Sequence, residues 1–129
     1  MAAIKRFEDI EAWQRARQLT REIYRITSEG DCTRDYCLRD QLRRSAVSIM
    51  SNIAEGFERG GNREFVQFLA VAKGSCGELR SQLYIALDQG YIDEQQFNEM
   101  SSGAIDIARM VSGLIRYLKE SGKRGSKSV

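Results

Sequence analysis

The chain has 129 residues, 42% of them hydrophobic and 29% charged, with a formal net charge of +2 and neither proline nor histidine. That length suits one domain, and the composition excludes both a membrane-embedded and a disordered chain. Without histidine, Ser-His and Cys-His catalytic arrangements are excluded and the commonest metal ligand is missing.

Helical periodicity dominates the chain. Asp9 is a plausible cap for a first helix whose apolar stripe is Trp13, Ala16, Thr20, Ile23 and Thr27. A polar connector, Ser28 to Asp35, lacks periodicity. Leu38, Leu42, Ala46, Ile49, Ile53 and Phe57 mark a second helix, which breaks at Glu58-Arg59-Gly60-Gly61. Phe65, Leu69, Ala72, Cys76, Leu79, Leu83 and Ala86 repeat in steps of four and three, and Gly90 suits a left-handed cap. Asp93 with Gln96 predicts a capping box for the last helix. Its seam is Phe97, Met100, Ala104, Ile107, Val111, Leu114 and Leu118, with Gly122 expected just past its end. Helices joined by short turns lie antiparallel, so the expected fold is all-α, an up-down-up-down four-helix bundle.

Charge and thiols refine this picture. Residues 1–118 hold 16 Lys/Arg and 17 Asp/Glu, whereas residues 119–129 hold four basic residues and one acid. The expected organisation is therefore a near-neutral domain over residues 1–118 and a basic, mobile tail over 119–129. The tail carries Lys119, Lys123, Arg124 and Lys127. Cys32, Cys37 and Cys76 are odd in number and lack zinc-site spacing. The first residues contain no apolar leader segment, so reduced thiols and a cytoplasmic location are expected.

Four groups of residues could carry function. Arg17, Arg21 and Arg25 share one side of the first helix, and Arg39 and Arg43 repeat the spacing on the second. They read either as a phosphate-tracking stripe, together with the basic tail, or as a solvated face with ion pairs. Ser45, Ser48, Asn52 and Glu55 form a polar stripe beside the apolar face of the second helix. It reads as a hydrogen-bonded seam between helices or between subunits, with Arg43, Arg44, Glu78 or Gln82 as partners, or as a ligand or RNA site. Val66, Ala70, Gly77 and Tyr84, with Gly74 nearby, form a flat stripe on the third helix. Helical glycine costs about 1 kcal/mol against alanine, so either a subunit interface or tight packing inside the bundle is implied. Trp13, Phe57, Phe65 and Phe68 are the aromatics that could stack on bases. Core burial is expected for Trp13 and Phe65, and Phe57 is the best prospect for an exposed ring. Glu55 and Glu78 make an incomplete metal-ligand set without histidine, so no metal or cofactor is expected.

The run Arg43-Arg44-Ser45-Ala46-Val47-Ser48-Ile49-Met50-Ser51-Asn52-Ile53-Ala54-Glu55-Gly56 resembles the signature of the 23S rRNA intervening sequence proteins. The likeness continues through Glu64-Phe65-x-x-Phe68-Leu69, Gly74-Ser75-x-x-Glu78-Leu79-x-x-Gln82-Leu83 and Gly90-Tyr91-Ile92. Trp13 with Ala16 matches the family's first helix. Met50 departs from the pattern, standing where the family commonly has proline; methionine lets this helix run straighter. The resemblance implies a four-helix bundle, often a pentameric ring, and no enzymatic activity. Some family members are encoded within sequences that interrupt ribosomal RNA genes, and a distant bundle relative binds nucleic acid. The expected function is a non-enzymatic homo-oligomer acting as an RNA- or DNA-associated scaffold. The alternative is a structural or protein-binding oligomer that binds no nucleic acid.

Overall fold

The computed structural model describes residues 4–128, with side chains described through Ser121. Four helices account for most of it: α1 (Glu11–Thr27), α2 (Tyr36–Glu58), α3 (Asn62–Asp88) and α4 (Glu94–Ser128). Short 3-10 turns at Phe7–Asp9 and Gly30–Arg34 precede α1 and α2. No strand occurs among the described residues. Helix α2 packs chiefly on α3, α3 on α4, and α1 against both α2 and α4, which closes a four-helix bundle.

The helix ends follow from local chemistry. Asp35 caps α2, its Oδ1 accepting the Leu38 N–H at 3.1 Å, while its Oδ2 accepts the Tyr91 hydroxyl at 3.0 Å. One carboxylate thereby ties the start of α2 to the turn before α4. Asp93 and Gln96 form the expected reciprocal box: the Gln96 N–H donates to Asp93 Oδ1 at 2.8 Å, and the Asp93 N–H to Gln96 Oε1 at 2.9 Å. Helix α3 stops at Gly90, which adopts a φ of 75°. There the Tyr91 N–H reaches back to the Ala86 carbonyl and the Gly90 N–H to that of Leu87, the paired closure that a left-handed residue permits.

Two boundaries differ from expectation. Asp9 does not cap α1; it belongs to the preceding 3-10 turn, and Ile10 takes the cap position without a side-chain bond. Helix α4 continues past Leu118 and Gly122 to Ser128. A single glycine costs only about 1 kcal/mol inside a helix and is no obligatory stop. The predicted seams of α3 and α4 do face the core: Leu69, Ala72, Leu79, Leu83, Ala86, Ala104 and Val111 are fully buried. On α1 the expected Ala16, Ile23 and Thr27 are buried, joined by Ala12, Leu19 and Ile26, whereas Trp13 and Thr20 are half-buried. Phe57 is also half-buried, edge-on to the buried Phe65 with ring centroids 6.0 Å apart, so it is not the free ring expected.

Candidate functional site

The polar stripe of α2 meets α3 within one chain. Ser45 Oγ donates to Gln82 Oε1 at 2.9 Å, and the Ser48 and Ser75 hydroxyls lie 2.9 Å apart. Asn52 Nδ2 donates to the Ser48 carbonyl at 2.8 Å and to its hydroxyl at 3.0 Å. These groups satisfy one another in a buried or half-buried seam, which desolvated hydroxyls require. Ser75 is the member that periodicity does not reveal; it sits between Ala72 and Leu79 on the buried side of α3. Glu55 and Glu78 stay outside the seam. Both are exposed, and Glu55 instead pairs with Arg59 at 3.0 Å. Arg44 is exposed as well, and it makes no ion pair among the described residues. No cluster of potential metal ligands exists among the described residues.

The predicted arginine stripe separates into two groups. Arg25 is engaged by Glu22 at 2.6 Å and by Glu29 at 4.0 Å, and the hydrogen bond to Glu22 holds its guanidinium further into the charged state. Arg39 contacts Asp40 at 3.1 Å, donates to the Thr33 carbonyl, and stacks over Tyr36. Arg43 donates Nε to Thr27 Oγ1 at 2.8 Å and Nη2 to Ser28 Oγ at 3.0 Å, with its guanidinium 4.5 Å from the Tyr24 ring centre. It thus fastens the C-terminal end of α1, where a cation suits the helix dipole. These three side chains serve local structure.

Arg17 and Arg21 are different. Both are exposed and neither meets a carboxylate within salt-bridge distance among the described residues. They line a groove of 380 Å³ with Trp13, Gln14, Gln18, Arg6 and Glu8. Phe7 holds the Trp13 ring edge-on at 5.2 Å, and the Arg17 guanidinium lies 6.0 Å from the indole centre. Arg17 lies over the indole and Arg21 follows one turn further along α1, so a strand can lay a base against the Arg17–Trp13 pair and phosphates against the two guanidinium groups. Of the basic tail, Lys119 is exposed on α4, while Lys123, Arg124 and Lys127 fall outside the residues whose side chains are described.

The small-residue stripe of α3 faces outward. Ala70, Gly74, Gly77 and Tyr84 are exposed and Val66 is half-buried. A Cβ built at Gly74 or Gly77 would meet nothing within 4 Å, so tight packing inside the bundle does not explain these glycines. Gly74→Ala and Gly77→Ala are therefore expected to stabilise the monomeric fold, each by up to about 1 kcal/mol. Thermal melts at low protein concentration check this; a lowered midpoint for either variant would mean that the position is not open.

The chain is thus defined as an all-helical bundle organised around a Ser-Asn-Gln seam, with free arginines on its outer surface. The family model described as "23S rRNA-intervening sequence protein" matches residues 8–113, and the chain belongs to that family. A crystal structure from Bacteroides thetaiotaomicron VPI-5482, described as a protein with unknown function from the S23 ribosomal protein family, shares the fold with a TM-score of 0.69. It is 19% identical, and the match covers 81% of this chain and 97% of that one. No curated protein matches the chain. Neither description names a catalytic activity. No helix among the described residues is long and apolar enough to cross a membrane.

Proposed function

We propose that this protein is a non-enzymatic, cytoplasmic scaffold that holds a nucleic-acid strand, RNA in the first instance. The observation that carries the reading is the groove in which Arg17 and Arg21, neither in a salt bridge among the described residues, continue from the anchored Trp13, with Arg6 and Glu8 also in the lining. In this reading the helices run up-down-up-down. Ser45 opposite Gln82 and Ser48 opposite Ser75 fit antiparallel α2 and α3, since the partner number falls as the first rises. The bundle assembles with copies of itself, a pentameric ring being the favoured form, through the open α3 face of Val66, Ala70, Gly74, Gly77 and Tyr84. Val71 and Ile85, 54% and 47% exposed, add apolar area to that helix. A ring repeats the groove and the basic end of α4, so weak sites act together.

The test is a fluorescence-anisotropy titration of single-stranded RNA across a salt series, with mass by light scattering on the same samples. For Arg17→Gln/Arg21→Gln, the slope of log affinity against log salt should flatten by about 1.4, since each lost contact on a single strand removes roughly 0.7. Trp13→Leu should weaken binding without changing that slope. A well-formed oligomer that binds no RNA would sink this proposal and leave a structural or protein-binding assembly.

A further inference from the structure

A second basic groove lies between α3 and α4. Its volume is 440 Å³, with Lys73 and Arg80 of α3 on one wall and Arg109 and Arg116 of α4 on the other, where Ile105 and Ala108 also line it. No carboxylate lines it, and none of the four cations forms a salt bridge among the described residues. Glu78 and Asp106, the acids nearest in sequence, take no part in it. Four uncompensated cations around one concavity repel one another and concentrate anions. Arg80 adds an independent sign: it is half-buried, and its buried Nε has no hydrogen-bond partner among the described residues, so the guanidinium must shift for that N–H to meet an acceptor. A desolvated, unpaired guanidinium N–H is costly, and such groups call for an explanation.

We infer that this groove is a phosphate-binding track for a nucleic-acid strand, with Arg80 as its anchor. Each wall carries two cations seven residues apart, which is about 10.5 Å along a helix. That spread is wider than one phosphate and suits several phosphates along a chain better than one isolated anion. Phosphate also matches the planar, forked donors of arginine, which supplies three of the four cations. The apolar strip of Ile105 and Ala108 gives sugars or bases a surface that a free anion would not use. Bundle order places α3 diagonally from α1, so this track is separate from the Trp13 groove. The inference rests on the nucleic-acid reading above and assigns it a second contact surface, which runs along the α4 side of the α3 stripe because Lys73 and Arg80 border Gly77 at i, i+4 and i, i+3.

The full-length protein is titrated with a labelled single-stranded RNA, the matching DNA, and inorganic polyphosphate, each across a salt series. The fold-neutral probe is Arg109→Gln/Arg116→Gln, because both residues are exposed. Its salt slope should be flatter by about 1.4 for RNA and for DNA, with melting unchanged. Arg80→Gln should flatten the slope by a further ~0.7, and Arg80→Lys should restore the slope but not the full affinity. These losses should add to those of Arg17→Gln/Arg21→Gln. If the groove variants bind like wild type while the Arg17/Arg21 variant weakens, the track is wrong and the Trp13 groove stands. If only the groove variants weaken, the track stands and the Trp13 site falls. Binding of polyphosphate but of neither nucleic acid, or displacement of RNA by poly-glutamate at equal charge, overturns the assignment.

Discussion

Gly56→Leu is expected to abolish the native packing of α2 on α3. Gly56 is buried in α2, and even the first added carbon would lie 2.7 Å from Phe68 Cβ and 3.0 Å from Phe65 Cδ1. The Phe68 Cβ is fixed to its own backbone and cannot rotate aside. Relief requires the helices to part, which stretches the Ser45–Gln82 and Ser48–Ser75 contacts and opens the largest helix interface in the bundle. Gly56→Ala already sets an overpacking cost of ~1–3 kcal/mol against a helix-propensity gain of about 1 kcal/mol. Leucine adds three further carbons to the same space, so its cost should exceed ~3 kcal/mol, or at least ~10 °C in melting midpoint for a chain of this size. Gly77→Leu, at an open position of α3, is the control and should leave a folded monomer. Equal melting of Gly56→Leu and wild type would refute the close approach.

The contrast between these glycines explains what the sequence makes legible. Gly56, Gly74 and Gly77 all stand inside helices, and propensity alone treats them alike. Gly56 falls seven residues after Ile49, on the buried line through Ile53, yet the neighbouring Phe57 is the more hydrophobic choice for that stripe. Only the facing helix decides which of the two points inward. Long seams are different, because each is encoded locally. Seven apolar residues on α3 and the core residues of α4 repeat in one register against close neighbours, so periodicity locates them. On α1 the buried Leu19 stands beside the half-buried Thr20, and the buried Ala12 beside the half-buried Trp13, so the apolar stripe alone does not tell which of each pair lies deeper.

Charge is legible only at short range. Arg25 with Glu22 is an i, i+3 pair, and sequence spacing suffices to suspect it. The fates of Arg17 and Arg43 depend on what lies across space. Arg43 reaches Thr27 and Ser28, fifteen or sixteen residues earlier, while Arg17 finds an indole instead of a carboxylate. The basic groove joins Lys73 and Arg80 to Arg109 and Arg116 on another helix, and no local pattern links them. Ser75 is hidden for the same reason, since its partner Ser48 is 27 positions away.

Alkaline pH should reveal the core through Cys76. This thiol faces the interior of α3 with 1% of its surface exposed, and burial pushes its pKa from 9.0 up to about 11. Ionisation is thus disfavoured in the folded chain relative to the unfolded one. The contribution of the neutral thiol is complete below pH 9 and is lost as pH rises through 11. A displacement of this size corresponds to about 2–3 kcal/mol over that window. Denaturant midpoints measured at pH 8 and pH 11 should converge between wild type and Cys76→Ala, because only wild type carries the thiol that must ionise. Tyr91 also titrates late, raised mainly by its hydrogen bond to Asp35, but it is common to both proteins and cancels in the comparison. The same burial sets reactivity. At pH 8 a thiol reagent should reach the exposed Cys37 directly, whereas Cys32 and Cys76 are buried and must wait for opening. For an opening free energy of about 5 kcal/mol, Cys76 should label roughly a thousandfold or more slowly. Labelling of Cys76 on the time scale of Cys37, without loss of helical signal, would mean that the α3 seam opens locally and that its burial does not govern the alkaline transition.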